Sequence, residues 1–239
     1  MIVILLYLQK KTKMETIISK LSVPVNQHLY LKDPLSSELG MKILTGSIAS
    51  ISELGFEKFT FKKLAAEIET TEASIYRYFE SKQKLLYYLI NWYWSCISVR
   101  ILMETKNISD PSIRLEKCIH ILTSLPNPEN EFILQNEVAL KTLVINESSK
   151  VFLTKSVDDE NKNGVFSEYK KVVSFVSDII LEINPSYPFP NMLVSSMMEG
   201  SNQQRFFALH LPRLTNEQEG KEVVESFYSD LIFKVIKHD

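Results

Sequence analysis

The chain has 239 residues, 45% of them hydrophobic and 23% charged, with six glycines and nine prolines. That composition belongs to a folded globular protein and excludes fibrous and low-complexity classes. A formal net charge of −2 gives no whole-chain attraction to nucleic acid or anionic lipid, but a local basic surface remains open, because only the contacting patch matters for phosphate binding.

The chain opens with MIVILLYLQKK, in which seven apolar residues follow the initiator. A membrane span needs about 20, and a signal peptide would place its lysines before the apolar run and a small-residue cleavage site after it. Residues 1–32 are therefore read as an arm of unknown role, a docking strand or short helix, with translation starting at Met1 or Met14. No membrane partner is expected.

Asp33-Pro34 reads as a helix start, since an aspartate accepts from free backbone N–H groups and proline loses nothing in a first turn. Leu39, Ile43, Leu44, Ile48 and Ile51 then recur at helical spacing until Gly55 stops the run. Thr60 is placed to cap a short second helix whose apolar stripe is Phe61, Leu64, Ala65 and Ile68. Thr71 is placed to cap a third, over TTEASIYRYF. At 100° per residue Ile75 and Phe79 share its inner face, Ala73 and Arg77 lie opposite, and Ser74 and Tyr76 flank them. Tyr78 falls nearer the apolar side. Ser81 opens a long helix carrying Leu85, Leu89, Trp92 and Cys96. Further helices are expected near 111–125, 131–153, 164–183, 190–210 and 216–237, separated by proline-rich or polar stretches. No alternating strand pattern competes, so the fold class is all-α.

Two short helices joined by a tight turn, with one helix before and a long one after, form a helix-turn-helix module. The motif residues are Gly55-Phe56, Thr60, Leu64-Ala65, then Ile75, Tyr76, Tyr78 and Phe79 followed by Ser81-Lys82. On these, residues 43–86 resemble the TetR family of one-component bacterial regulators. The resemblance implies a three-helix DNA-binding head over 33–82, joined by the long helix to a helical ligand-binding and dimerisation domain over 83–239. It also implies a homodimer that sets two recognition helices in successive major grooves of a near-palindromic double-stranded operator, and a small-molecule inducer that changes their spacing.

Physical chemistry supports the carry-over. Thr60, Lys62 and Lys63 at a helix N-terminus combine cap, dipole and charge into a phosphate clamp. Tyr76 and Tyr78 carry phenolic donors for phosphate, and Lys82 matches the family's phosphate-contacting lysine. Thr71, Glu72, Ala73, Ser74 and Arg77 are the positions facing base edges, and an arginine held bidentate to guanine is worth roughly 1–3 kcal/mol of discrimination. Two positions depart from the family: Glu69 stands where glycine is common in the turn, and Glu72 where a basic residue is common. Residues 41–90 hold seven basic side chains (Lys42, Lys58, Lys62, Lys63, Arg77, Lys82, Lys84) against six acidic ones (Glu53, Glu57, Glu67, Glu69, Glu72, Glu80). A head this close to neutral predicts moderate affinity and a shallow salt slope.

In the C-terminal part, Trp92, Tyr93, Cys96 and Phe175 are the candidates for a ligand pocket, although helical spacing alone also reads the aromatic stripe as core. Met192, Met197, Met198, Phe206 and Phe207 could line a pocket, but they are assigned to a dimer face, because apolar helices late in the chain must be covered. Few charges interrupt 164–183 and 190–210, which points to an apolar or amphipathic inducer. Cys96 and Cys118 have no CxxC partner, which fits a reducing cytoplasm. The histidines form no i, i+4 pair and no cluster of zinc spacing, so no metal or cofactor is expected. No catalytic constellation is present in the sequence, and Asp158, Asp159 and Glu160 read as a solvated linker. The competing reading is a helical ligand- or partner-binding protein whose head no longer grips DNA; an enzyme on a helical scaffold is a third.

Overall fold

A computed structural model describes residues 25–126, 137–217 and 223–236. The first 24 residues of the arm, the start of the helix expected from 131, and residues 218–222 of the helix expected from 216 lie outside them, while residues 216 and 217 are described and not helical. The described residues contain helices and 3-10 turns with no strand.

The head begins with α1, Glu38–Leu54, whose N-cap is Ser37, its hydroxyl accepting from the Gly40 N–H at 3.1 Å. Asp33 does not open this helix, as the sequence suggested. It caps a separate 3-10 turn, Pro34–Ser36, that folds back onto the first turn of α1. Gly40 makes that approach feasible: a Cβ there would stand 2.1 Å from the Pro34 carbonyl oxygen. Gly55, at φ 74°, ends α1. Thr60 caps α2, Phe61–Glu67, and Thr71 caps α3, Glu72–Tyr76, each accepting from the backbone N–H three residues on. Helices this short are unstable alone. Ile43, Leu44, Phe59, Leu64, Ile75 and Phe79 hold them together in a dry core.

Between α2 and α3 the chain turns at Glu69, φ +54°, the sole described non-glycine residue with positive φ. A Cβ in this region costs about 1–2 kcal/mol, part of which glycine would forfeit through a freer unfolded chain. Glu69→Gly is therefore expected to stabilise the head by about 0.5–1 kcal/mol, raising the melting temperature by about 1–3 °C. Differential scanning calorimetry checks it. A lower melting temperature would mean that the Glu69 side chain contributes more than its backbone costs.

Ser81 caps α4, Lys82–Thr105, which is buried on nearly every side from Leu85 to Ile97. A helix that is apolar all round belongs at the centre of a bundle, and at 1.5 Å per residue this one runs about 36 Å from the head into the body. Around it lie α5 (Pro111–Thr123), α6 (Glu137–Glu147), the single turn α7 (Ser149–Phe152), α8 (Val157–Lys162), α9 (Ser167–Ile183), α10 (Pro190–His210) and α11 (Val223–Ile236). Helices α5, α6 and α9 pack on α4, while α10 lies against α5, α6, α9 and α11. The close approach of α10 and α11 depends on Gly200, where a Cβ would stand 2.0 Å from the Tyr228 hydroxyl. The helix expected over 131–153 is broken near Ser148 into α6 and α7. Among the described residues no helix is long and apolar enough to cross a membrane.

Candidate functional site

The head presents one exposed polar face. Thr60, Lys62, Lys63, Thr71, Glu72, Ala73, Tyr76 and Arg77 are all exposed, and Ser74 is half-buried. The local sequence explains this: α2 turns Phe61, Leu64 and Ala65 inward and α3 turns in Ile75, so the intervening positions face out. Tyr76 is 47% exposed yet anchored, its ring edge-on to Phe61 at 5.0 Å between centroids. Thr71 and Ser74 share a hydroxyl–hydroxyl bond of 2.8 Å, and the Lys63 ammonium reaches back to the Lys58 carbonyl at 2.9 Å. Lys62 and Arg77 supply exposed cationic charge.

Two residues expected on this face are differently placed. Tyr78 is buried, and its hydroxyl bonds Ser37 Oγ at 2.8 Å while accepting from Lys32 Nζ at 3.2 Å. Lys82 turns its ammonium inward to three carbonyl oxygens, Phe56 at 3.1 Å, Glu57 at 3.2 Å and Phe59 at 3.1 Å. It also lies 4.7 Å from the centre of the Phe56 ring. Lys82 thus closes the loop between α1 and α2, with no proton left over for a further acceptor.

The same loop is gripped from the body. Glu147, buried at the end of α6, accepts from the Phe56 N–H at 3.1 Å and pairs with Lys150 at 2.6 Å; Lys150 reaches Glu57 at 3.5 Å. Lys84 pairs with Glu160 of α8 at 2.9 Å, so this acid, read in the sequence as solvated linker charge, joins the base of α4 to the body.

In the body, Trp92, Tyr93 and Cys96 are buried in the core and Phe175 packs against it, so the expected pocket lining is packing instead. Burial also pushes the Cys96 and Cys118 thiols up, the latter to about 12, which leaves both unreactive. Met197 and Met198 are about 1% exposed and leave no surface for a second chain. Met192 is 67% exposed and stays outside.

Phe206 and Phe207, expected at a dimer face, line a recess of about 380 Å³ between the α6–α7 junction and α10, with Asn146, Glu199 and Asn202 among their neighbours. The Tyr169 hydroxyl donates to Glu199 at 3.0 Å. Burial holds the Glu199 carboxyl above the usual carboxylate range, against that hydroxyl and the nearby Lys141 charge. Behind the recess, fully buried Lys141 donates to Asn202 Oδ1 at 2.9 Å and to the Leu122 carbonyl at 3.3 Å. Burial depresses its ammonium to about 7, with the Arg205 charge acting the same way. Arg100 is likewise interior, paired with Glu104 and with Glu137, each at 2.8 Å.

One cluster has the composition of a hydrolytic site. His120 Nδ1 meets Glu225 at 2.9 Å and Ser124 Oγ at 3.2 Å, and Ser124 donates to Glu225 at 2.7 Å. Serine and carboxylate both use the same ring nitrogen, so no proton can pass across the imidazole as a nucleophile–base–acid relay requires. The cluster fastens α11 to α5. Among the described residues no group of three His, Cys, Asp or Glu side chains could hold a metal ion.

The structure thus joins a capped helix-turn-helix with an exposed polar face to a helical bundle whose recess opens beside the contact of Glu147 with the head. Residues 43–89 match the model of the bacterial regulatory proteins of the tetR family. A stretch of 71 residues, 30% of the chain, is 32% identical to nucleoid occlusion factor SlmA of Pasteurella multocida; the chain spans only 36% of that relative's length. Over about four fifths of the chain the fold is shared with solved structures, one of them a TetR-family regulator. PfmR of Thermus thermophilus has a TM-score of 0.55 at 15% identity, with 80% of this chain and 97% of that one covered. AibR, solved with isovaleryl coenzyme A and operator DNA, has a TM-score of 0.53 at 15% identity, covering 81% and 96%. A Saccharomonospora viridis protein solved with choline has 0.55 at 16%, covering 83% and 95%.

Proposed function

We propose that the chain is a cytoplasmic, ligand-responsive transcriptional repressor that binds a near-palindromic operator as a homodimer and is released by a small-molecule inducer. The carrying observation is the exposed face of α2 and α3: two capped helix ends with Lys62, Tyr76 and Arg77 turned outward on a braced core. The tetR-family match over the head and the operator and ligand complexes of similar folds support the same reading. Free, buried Cys96 and Cys118 fit a reducing compartment. The second chain would cover apolar side chains left outside on α10 and α11, namely Met192, Phe227 and Leu231. No catalytic step belongs to this reading.

Gel shift with DNA from upstream of the chain's own gene tests it, with a salt-sensitive band as the expected result. Arg77→Ala is expected to relax base preference at one operator position by about 1–3 kcal/mol, while Lys62→Ala weakens all sequences alike. Equal losses across operator variants for both would reduce Arg77 to a phosphate contact.

Glu72 favours a second reading, a partner- or ligand-binding protein with a silent head. It is exposed in the first turn of α3, where it would face phosphate unless it accepts from a cytosine N4. Absence of any salt-sensitive band, with ligand binding intact, would establish that reading.

A further inference from the structure

We propose that the recess between the α6–α7 junction and α10 binds a small organic ammonium ion that carries an oxygen acceptor close to its nitrogen and an apolar arm. This names the ligand class of the ligand-responsive reading above and rests on it. The sites around the recess divide by what they lack. Asn146 Oδ1 is out of contact with solvent and has no donor, and Glu199 is the one acid in the lining, with a single donor, the Tyr169 hydroxyl, on Oε1. Both call for N–H groups. Phe206 and Phe207 add aromatic faces, which attract cations. Asn202, a helical turn along α10 from Glu199, is 3% exposed. Lys141 holds its Oδ1, and its Nδ2 has no acceptor. A buried amide N–H without a partner costs free energy that a ligand oxygen would restore.

An anionic ligand would meet Glu199 and leave Asn146 unserved. A hydrocarbon would leave all three polar groups unserved. An ammonium ion with a neighbouring hydroxyl or ether serves each of them and lays its apolar arm on the phenylalanines. The volume, about 380 Å³, suits a molecule of that size.

Isothermal titration of the full chain, without DNA, decides the matter with three probes of one shape: phenylalaninol, protonated at neutral pH; 3-phenylpropane-1,2-diol, its neutral counterpart; and hydrocinnamate, an anion. Phenylalaninol is expected to bind at least about tenfold tighter than the diol, with hydrocinnamate weakest. Glu199→Gln keeps an acceptor for Tyr169 and is expected to abolish the preference for the amine while leaving the melting curve in place. Equal affinity for amine and diol, a preference that survives Glu199→Gln, or no heat from any probe at millimolar concentration would overturn the assignment. If the variant fails to fold, the wild-type ranking of the three probes decides alone. A chain that binds the amine but no DNA keeps this site and loses the repressor reading. One that binds DNA but none of the probes loses only the site.

Discussion

Lys82→Met is expected to lower the unfolding free energy by about 2–4 kcal/mol, measured by urea denaturation. Three carbonyl oxygens in the loop between α1 and α2 lose their shared donor, and the Phe56 ring loses the cation beside it. A hydrogen bond to a charged group is worth about 1.5–3 kcal/mol, and three that end on one ammonium do not add. The same variant separates two roles for this lysine. If it contacted phosphate, its removal would flatten the salt dependence of operator binding by about one unit of slope. Because its protons are already committed, the slope is expected to stay as in the wild type, with affinity falling only as far as the head loosens.

The second large effect is expected at Glu147. Glu147→Ala removes the acceptor of the Phe56 N–H and leaves that buried donor orphaned, at a cost of about 1–3 kcal/mol. The lost pairing with Lys150 adds little, since that lysine is 34% exposed and water screens it. Phe56 is therefore held at both ends of its backbone by charged side chains from different helices, its N–H by Glu147 and its carbonyl by Lys82. Combining the two substitutions is expected to cost less than the sum of the separate losses by more than about 0.5 kcal/mol. Strict additivity in a double-mutant cycle would show that the two grips act independently.

What the sequence disclosed was local. Thr60, Thr71 and Ser81 cap the helices they were read as capping, because an N-cap involves only the next three residues. Ile75 and Phe79 turn inward while Tyr76 and Arg77 turn outward, as one helical period dictates. The bend at Glu69 was expected from the family resemblance, which puts glycine in this turn, and the positive φ there agrees with it. The inward turn of Lys82 was not readable, since its partners lie more than twenty residues earlier. The recess escaped for the same reason: Asn146 of α6 meets Glu199 and Asn202, a helical turn apart on α10, from a distant part of the chain. Apolar period alone also could not distinguish methionines that fill the protomer's core, Met197 and Met198, from one left outside, Met192.

Asn146 and Glu147 are neighbours in the chain but serve opposite clients. One lines the recess, and the other grips the head at Phe56. A backbone displacement at this point is felt on both sides, because the two side chains hang from consecutive α-carbons. Lineages that recut the recess for a new molecule would thereby reset the seating of the head as well. If the recess and the head act as proposed, ligand choice and the resting tilt of the head's exposed face would be inherited as one trait.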